Sequence, residues 1–173
     1  VYEGRAAKVL LNNSKLKEIE AYYNQCAEEG SNENQVEESK KAMAQMNAII
    51  GDPKRLKDLA QDFVVHYENR IAEGATVRGK AMFVCSSRPI AYEFYKNVLA
   101  LRPEWGETKV CADGVALTDV EKKEIKPMER IKMVMTRGKD DPETLYHLLG
   151  TKDDRKELDR QFKNEKSNFK IAI

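Results

Sequence analysis

Two short stretches carry the side chains best suited to chemistry. Ser86-Ser87-Arg88 and Thr136-Arg137-Gly138 each place small hydroxyls and an arginine directly after an apolar run. Hydroxyls and a guanidinium fork are the donors that suit phosphate oxygens. A helix is expected to begin right after Ser87. Its unpaired N–H groups and positive end would then point at the same place. A plainer reading stays open, in which Ser87 only caps that helix and Arg88 is solvated. Arg155 is a third candidate, in the first turn of a later helix, where an acidic residue would suit the dipole better. It also reads as a surface arginine paired with Asp141 or Glu157. His66 and His147 have no Cys, Ser or carboxylate constellation around them and read as structural. The sequence contains no GxxxxGK[ST] loop, no HExxH and no acidic pair at metal-ligand spacing. No catalytic and no metal-binding residue is therefore assigned, and a self-contained active site is not expected.

The elements that must position these residues follow from spacing. Residues 2–11 read as a strand. Ser14 caps a helix with Leu16, Ile19, Tyr23 and Cys26 on one face, and residues 35–50 form a second helix ended by Gly51. Together they make a helical hairpin. Asp52-Pro53 then opens a helix with Leu56, Leu59, Phe63, Tyr67 and Ile71 on its apolar face, closed by Gly74. Residues 80–86 form a continuous apolar run of strand length, of the kind a parallel sheet covers on both faces. The next helix carries Ile90, Phe94, Val98 and Leu101 and ends near Arg102-Pro103. Residues 108–112 suggest a short strand, and residues 113–130 are polar, unassigned and insertion-like. Residues 131–135 read as a second buried strand. Asp140-Asp141-Pro142 starts a short helix that ends at Gly150. Thr151 with Asp154 forms a capping box for a helix with Leu158 and Phe162 facing the core. Residues 168–173 are a final strand. From residue 52 onward the order alternates between helix and strand, which is the rhythm of an open, mainly parallel α/β sheet. The expected division is residues 1–51 as strand and hairpin, and residues 52–173 as the α/β part. Ligands in such sheets sit at the carboxyl ends of the strands, where both hydroxyl–arginine stretches fall.

Composition limits the function classes. The 173 residues include 30 Lys+Arg and 29 Asp+Glu, for a formal net charge of +1. That excludes a histone-like polycation, so any nucleic-acid site must be a local patch. With 41% apolar and 34% charged residues the chain reads as globular. No apolar run reaches the ~20 residues of a membrane span. Cys26, Cys85 and Cys111 are odd in number and lack C-x-x-C spacing, which points to reduced structural thiols in a cytoplasmic protein. The sequence opens on Val1 and stops inside the strand-like run ending at Ile173. The expectation is a piece cut from a larger protein.

Several strings, taken in order, resemble the second motor domain of the restriction (R) subunit of type I restriction enzymes. They are Lys80-Ala-Met-Phe-Val-Cys-Ser-Ser-Arg-Pro-Ile-Ala91, Leu101-Arg-Pro-Glu-Trp105, Ile131-Lys-Met-Val-Met-Thr136, Leu149-Gly-Thr-Lys-Asp-Asp-Arg155 running to Phe162, and Phe169-Lys-Ile-Ala-Ile173. Tyr2-Glu-Gly-Arg5 is similar to a recurring string near the start of that region. The likeness spans nearly the whole chain and is least distinctive over residues 12–50 and 106–130.

The resemblance implies a helicase-like translocase that pumps duplex DNA with ATP and Mg²⁺ and cuts it with a separate nuclease domain. It implies a RecA-like fold and partnership with modification and specificity subunits. Residues 84–88 are similar to the fourth helicase motif, whose residues line the DNA track. By this likeness Ser86, Ser87 and Arg88 are candidate backbone contacts and Arg155 is a candidate motor-motif arginine; Thr136 and Arg137 join the backbone contacts from their place at the end of the second buried strand. The phosphate loop, the DEAD/H-type box, the arginine-finger motif and the nuclease carboxylates of the family are absent from these residues. The isolated chain is therefore expected neither to hydrolyse ATP nor to cut DNA, and to bind DNA weakly and in a salt-sensitive way. Two other readings remain. One is a motor domain of a different superfamily 2 DNA helicase. The other is a non-enzymatic interaction module that docks through the hairpin.

Overall fold

The computed structural model describes residues 46, 49–74 and 79–173. The strand expected at 2–11, the first hairpin helix, most of the second and Cys26 lie outside the described residues. The chain forms two compact units, residues 1–59 and 60–173, with the division inside one helix.

In the first unit Met46, Ile49 and Ile50 are helical and Gly51 is a turn. Helix α1 (Pro53–Ala72) starts as its Asp52-Pro53 signal requires. The Asp52 carboxylate accepts the Arg55 N–H at 2.9 Å, and the Asp52 carbonyl accepts the Leu56 N–H at 2.9 Å. One donor that the helix start would leave orphaned is thus satisfied by the cap.

In the second unit α1 continues with Ala60, Val64 and Tyr67 buried, and Gly74 closes it at φ 64. That positive φ is a conformation glycine adopts without a Cβ penalty. Ile71 belongs to the predicted face but is exposed. Strand β1 (Ala81–Met82) leads to α2 (Arg88–Leu101), which has Ser87 at its N-cap and Pro89 in its first turn. A 3₁₀ turn follows at Pro103–Gly106, then a single-turn helix α3 (Glu121–Glu124). Strand β2 (Ile131–Lys132), helix α4 (Glu143–Leu148), helix α5 (Lys152–Lys163) and strand β3 (Ile171–Ala172) complete the order.

The three strands form an open parallel sheet in the order β1-β3-β2, so the architecture is α/β. Ala81 and Ile131 both stand opposite Ile171. Bonds from Phe83 N–H to the Ala172 carbonyl (2.9 Å) and from Val134 N–H to the Ile173 carbonyl (2.7 Å) extend the pairing upward. One sheet face is packed. Phe83 stacks on Phe94 of α2 at 3.9 Å, and Phe63 of α1 meets both rings edge-on. On the other face Leu158 of α5 clusters with Phe169 and Ala172.

Three expectations are corrected here. The run at 80–86 is not covered on both faces: Met82 is 69% exposed and Val84 83%. Alternate strand residues point to opposite faces, and no described helix covers these two. Val134 is exposed for the same reason, whereas Ile131 and Met133 are buried. The strand expected at 108–112 reduces to one antiparallel bridge, Lys109 to Met128. Residues 113–130, which spacing leaves unassigned, hold a turn at Gly114 (φ 74), helix α3 and a buried Ile125.

Two lysines, half-buried Lys80 and buried Lys170, brace the lower end of the sheet. Lys80, just before β1, donates to the Phe162 carbonyl, and Lys170, just before β3, donates to the Glu165 carbonyl. Each thereby satisfies a carbonyl at or just beyond the end of α5, where cations also suit the dipole. Burial pushes the Lys170 amine below its ordinary pKa, and the charges of Lys80 and Arg130 add to this.

Candidate nucleic-acid interface

Because β1, β2 and β3 run parallel, their carboxyl ends share one rim. The turns at 86–88 and 136–138 both lie just past such ends. Helix α2 fixes the first turn, since Ile90, Ala91, Phe94, Tyr95 and Val98 bury one side of it. Ser86 is exposed and Ser87 half-buried. Ser87 occupies the N-cap in an extended conformation (φ −151, ψ 160) but makes no side-chain cap bond. The reading of Ser87 as a plain capping hydroxyl therefore fails.

Arg88 is solvated only in part. Its guanidinium grips Asp141 with two bonds, Nε to Oδ1 at 2.9 Å and Nη2 to Oδ2. The Arg88 side chain is 36% exposed and that of Asp141 only 6%. Asp141 also accepts the Gly138 N–H at 2.6 Å. One carboxylate thus ties the turn after β1 to the turn after β2. The Arg88 fork, and then the Gly138 N–H, hold the Asp141 carboxyl below the usual carboxylate pKa. Helix α2 has no acidic residue in its own first turn.

Thr136 is exposed beside this link. Arg137 is turned onto α4, donating from Nε to the Tyr146 carbonyl at 2.8 Å and lying 4.3 Å over the Tyr146 ring. Helix α5 brings in Arg155. Its start is the expected capping box, with Asp154 N–H donating to the Thr151 hydroxyl and Asp154 accepting the Thr151 N–H at 2.7 Å. The Thr151 bonds, then the charges of Arg137 and Arg155, hold the Asp154 carboxyl low. Arg155 is half-buried, and it forms no ion pair with Asp141 or Glu157 among the described residues. Glu157 pairs instead with Arg160 and Lys126, and Asp141 with Arg88.

The rim thus combines exposed Ser86 and Thr136 hydroxyls with arginines already engaged by the protein. Beside it runs an apolar groove of about 320 Å³, lined by Met82, Val84, Val134, Leu158, Phe162 and Ile173 among others. Its acidic lining residue, Asp159, would repel an anion, so the groove is not part of the phosphate-suited surface. His147 is exposed and lies 3.7 Å from Glu143 on the same helix. Among the described residues no group of three His, Cys, Asp or Glu side chains is placed to hold a metal ion, and no helix is long and apolar enough to cross a membrane. Cys85 and Cys111 are free thiols, and burial raises the pKa of Cys85.

Sequence reasoning missed Asp141 as the centre of the rim and Tyr146 as the seat of Arg137. The signal for Asp141 was local: an Asp three residues after Gly138, the spacing at which a carboxylate reaches back to a backbone N–H, as Asp154 does to Thr151.

The chain is thus an α/β protein with a hydroxyl-bearing strand-end rim. No known domain family matches it, and no solved structure matches it. It is similar to the type I restriction enzyme HindI endonuclease subunit of Haemophilus influenzae, 32% identical over 138 residues. That alignment takes in 79% of this chain and 11% of the relative. It is also similar to a protein of Methanocaldococcus jannaschii provisionally named as the type I restriction enzyme MjaIXP endonuclease subunit. Here the identity is 26% over 174 residues, 99% of this chain and 14% of the relative. The resemblance drawn from the ordered strings is therefore to type I restriction enzyme endonuclease subunits, of which the chain spans only a small part.

Proposed function

We propose that this chain is part of the DNA-translocating, ATP-dependent motor of a type I restriction endonuclease subunit. It forms part of the second RecA-like domain and grips the DNA phosphate backbone through its strand-end rim. The observation that carries this reading is the joining of the two strand-end turns by Asp141, which holds Ser86 and Thr136 exposed on one side of the sheet. The similarity to restriction endonuclease subunits supports it. A translocase steps over any sequence, so its grip must fall on phosphates rather than bases. Neutral hydroxyls and partly neutralised arginines provide a grip that is weak enough to release.

The residues in hand do not fit a nucleotide–Mg²⁺ site. A phosphate cradle, a metal ligand and a positioned water are all needed, and the GxxxxGK[ST] string is absent. No hydrolytic step is assigned to these residues. In this reading ATP and Mg²⁺ act through another part of the subunit, and modification and specificity subunits are the partners of the whole. The setting is cytoplasmic.

The test is fluorescence anisotropy of a labelled duplex titrated with the chain at low salt. A hydrogen bond to a charged group contributes about 1.5–3 kcal/mol, so Ser86→Ala/Thr136→Ala should weaken binding about tenfold or more. Equal binding by parent and variant would remove the rim from the DNA track.

A further inference from the structure

We infer that Asp141 is a positioning residue that sets the strength of the DNA grip. It locks Arg88 across the rim and cancels its charge, so that the grip stays weak and reversible. This rests on the proposed DNA-gripping role of the rim and adds a residue to it.

The geometry argues for both halves of this role. Asp141 takes two of the five guanidinium hydrogens, at Nε and Nη2 of Arg88, and leaves three for another acceptor. Arg88 remains 36% exposed, so those donors can reach solvent. The same carboxylate closes the turn at Gly138. A Cβ added at Gly138 would meet Asp141 Oδ1 at 3.2 Å, so the backbone has been brought close enough that the side chain there must be small. Asp141 itself is 6% exposed, which shields it from solvent and leaves it against Arg88. A phosphate approaching the rim therefore meets an ion pair rather than a bare cation. It gains hydrogen bonds from Arg88 but little net Coulomb attraction, and few counterions are released.

That distinction has a readout a merely structural role would not move. Binding to duplex DNA loses about 0.9 log units of affinity per log unit of salt for each phosphate neutralised. Asp141→Asn keeps an acceptor for the turn while freeing one positive charge. It should bind a labelled duplex more tightly at low salt, with a slope steeper by about 0.9. Between 50 and 200 mM salt its affinity should therefore fall about three- to fourfold further than the parent's. Arg88→Ala leaves a bare carboxylate and should weaken binding with a shallower slope. Arg88→Ala/Asp141→Asn removes both charges and should restore the parent slope, as should the charge-keeping Asp141→Glu. Thermal melting of each variant confirms that it is folded.

If Asp141→Asn keeps the parent slope while Ser86→Ala/Thr136→Ala loses affinity, the inference about Asp141 falls and the DNA-gripping rim stands. If the parent does not bind duplex, or every variant binds as the parent does, the rim reading and this inference fall together.

Discussion

Truncating Phe94 tests how the rim is held from below. Its ring is fully buried, stacked on Phe83 at 3.9 Å with an interplanar angle of 10°, and it meets Phe63 edge-on at 5.6 Å. Phe83 lies just before the turn at 86–88 and Phe94 just after it, so this stack fixes the turn between them. A buried Phe→Ala change costs about 3–5 kcal/mol. The site can collapse little, because two further rings depend on the missing one, so Phe94→Ala should fall at the upper end of that range. Domains have only about 5–15 kcal/mol in total, so this variant should sit close to the folding threshold. Phe94→Leu guards against that. It keeps most of the volume and loses the ring–ring terms of about 0.5–1.5 kcal/mol each, so about 1–3 kcal/mol should go. Urea unfolding can be followed through the one tryptophan, Trp105, which is buried 5.3 Å from the Tyr67 ring. The reasoning is refuted if Phe94→Ala costs less than about 1.5 kcal/mol, since a full cavity term would then be missing.

Two further outcomes follow from local geometry and titration. Gly150→Ala should destabilise by about 1–2 kcal/mol or more in thermal or urea unfolding, because an L-residue is strained in the left-handed region. At φ 61 the added Cβ would also sit 2.9 Å from the Asp154 Cβ and push the capping carboxylate away. Burial holds the Tyr67 and Tyr95 phenols protonated up to about pH 12, with Arg130 pulling the other way at Tyr67. Both values are raised on folding, so their contribution is complete below the ordinary pKa near 10 and is lost as pH climbs through about 12. The melting temperature should therefore drop across that alkaline window, and Tyr95→Phe should flatten the drop.

Local signals carried well into the structure. Asp52-Pro53, the Thr151/Asp154 box and the apolar spacing of Ile90, Phe94 and Val98 each act within a few residues, and each appears where expected. Residues 168–173 end in the central strand. What spacing could not show was pairing across distance. Arg88 and Asp141 are 53 positions apart, and no periodicity encodes their meeting. The apolar run at 80–86 is equally apolar on both of its faces, so hydrophobicity alone could not reveal that Met82 and Val84 lack a described cover. The regular strands are also short. Their pairing runs one bond further at Phe83 and Val134, and a pattern of side chains does not report where backbone pairing stops.

The strand order has a kinetic corollary. Among the described strands β1 and β2 pair only with β3, so neither of these ladders can form until the stretch around Ile171 has been made and delivered. Every inter-strand ladder then forms between segments distant along the polypeptide, which slows folding relative to a hairpin-built sheet. Until that late arrival, the hydroxyl-bearing turns have no common edge to stand on, and the rim takes shape only once β3 is in place.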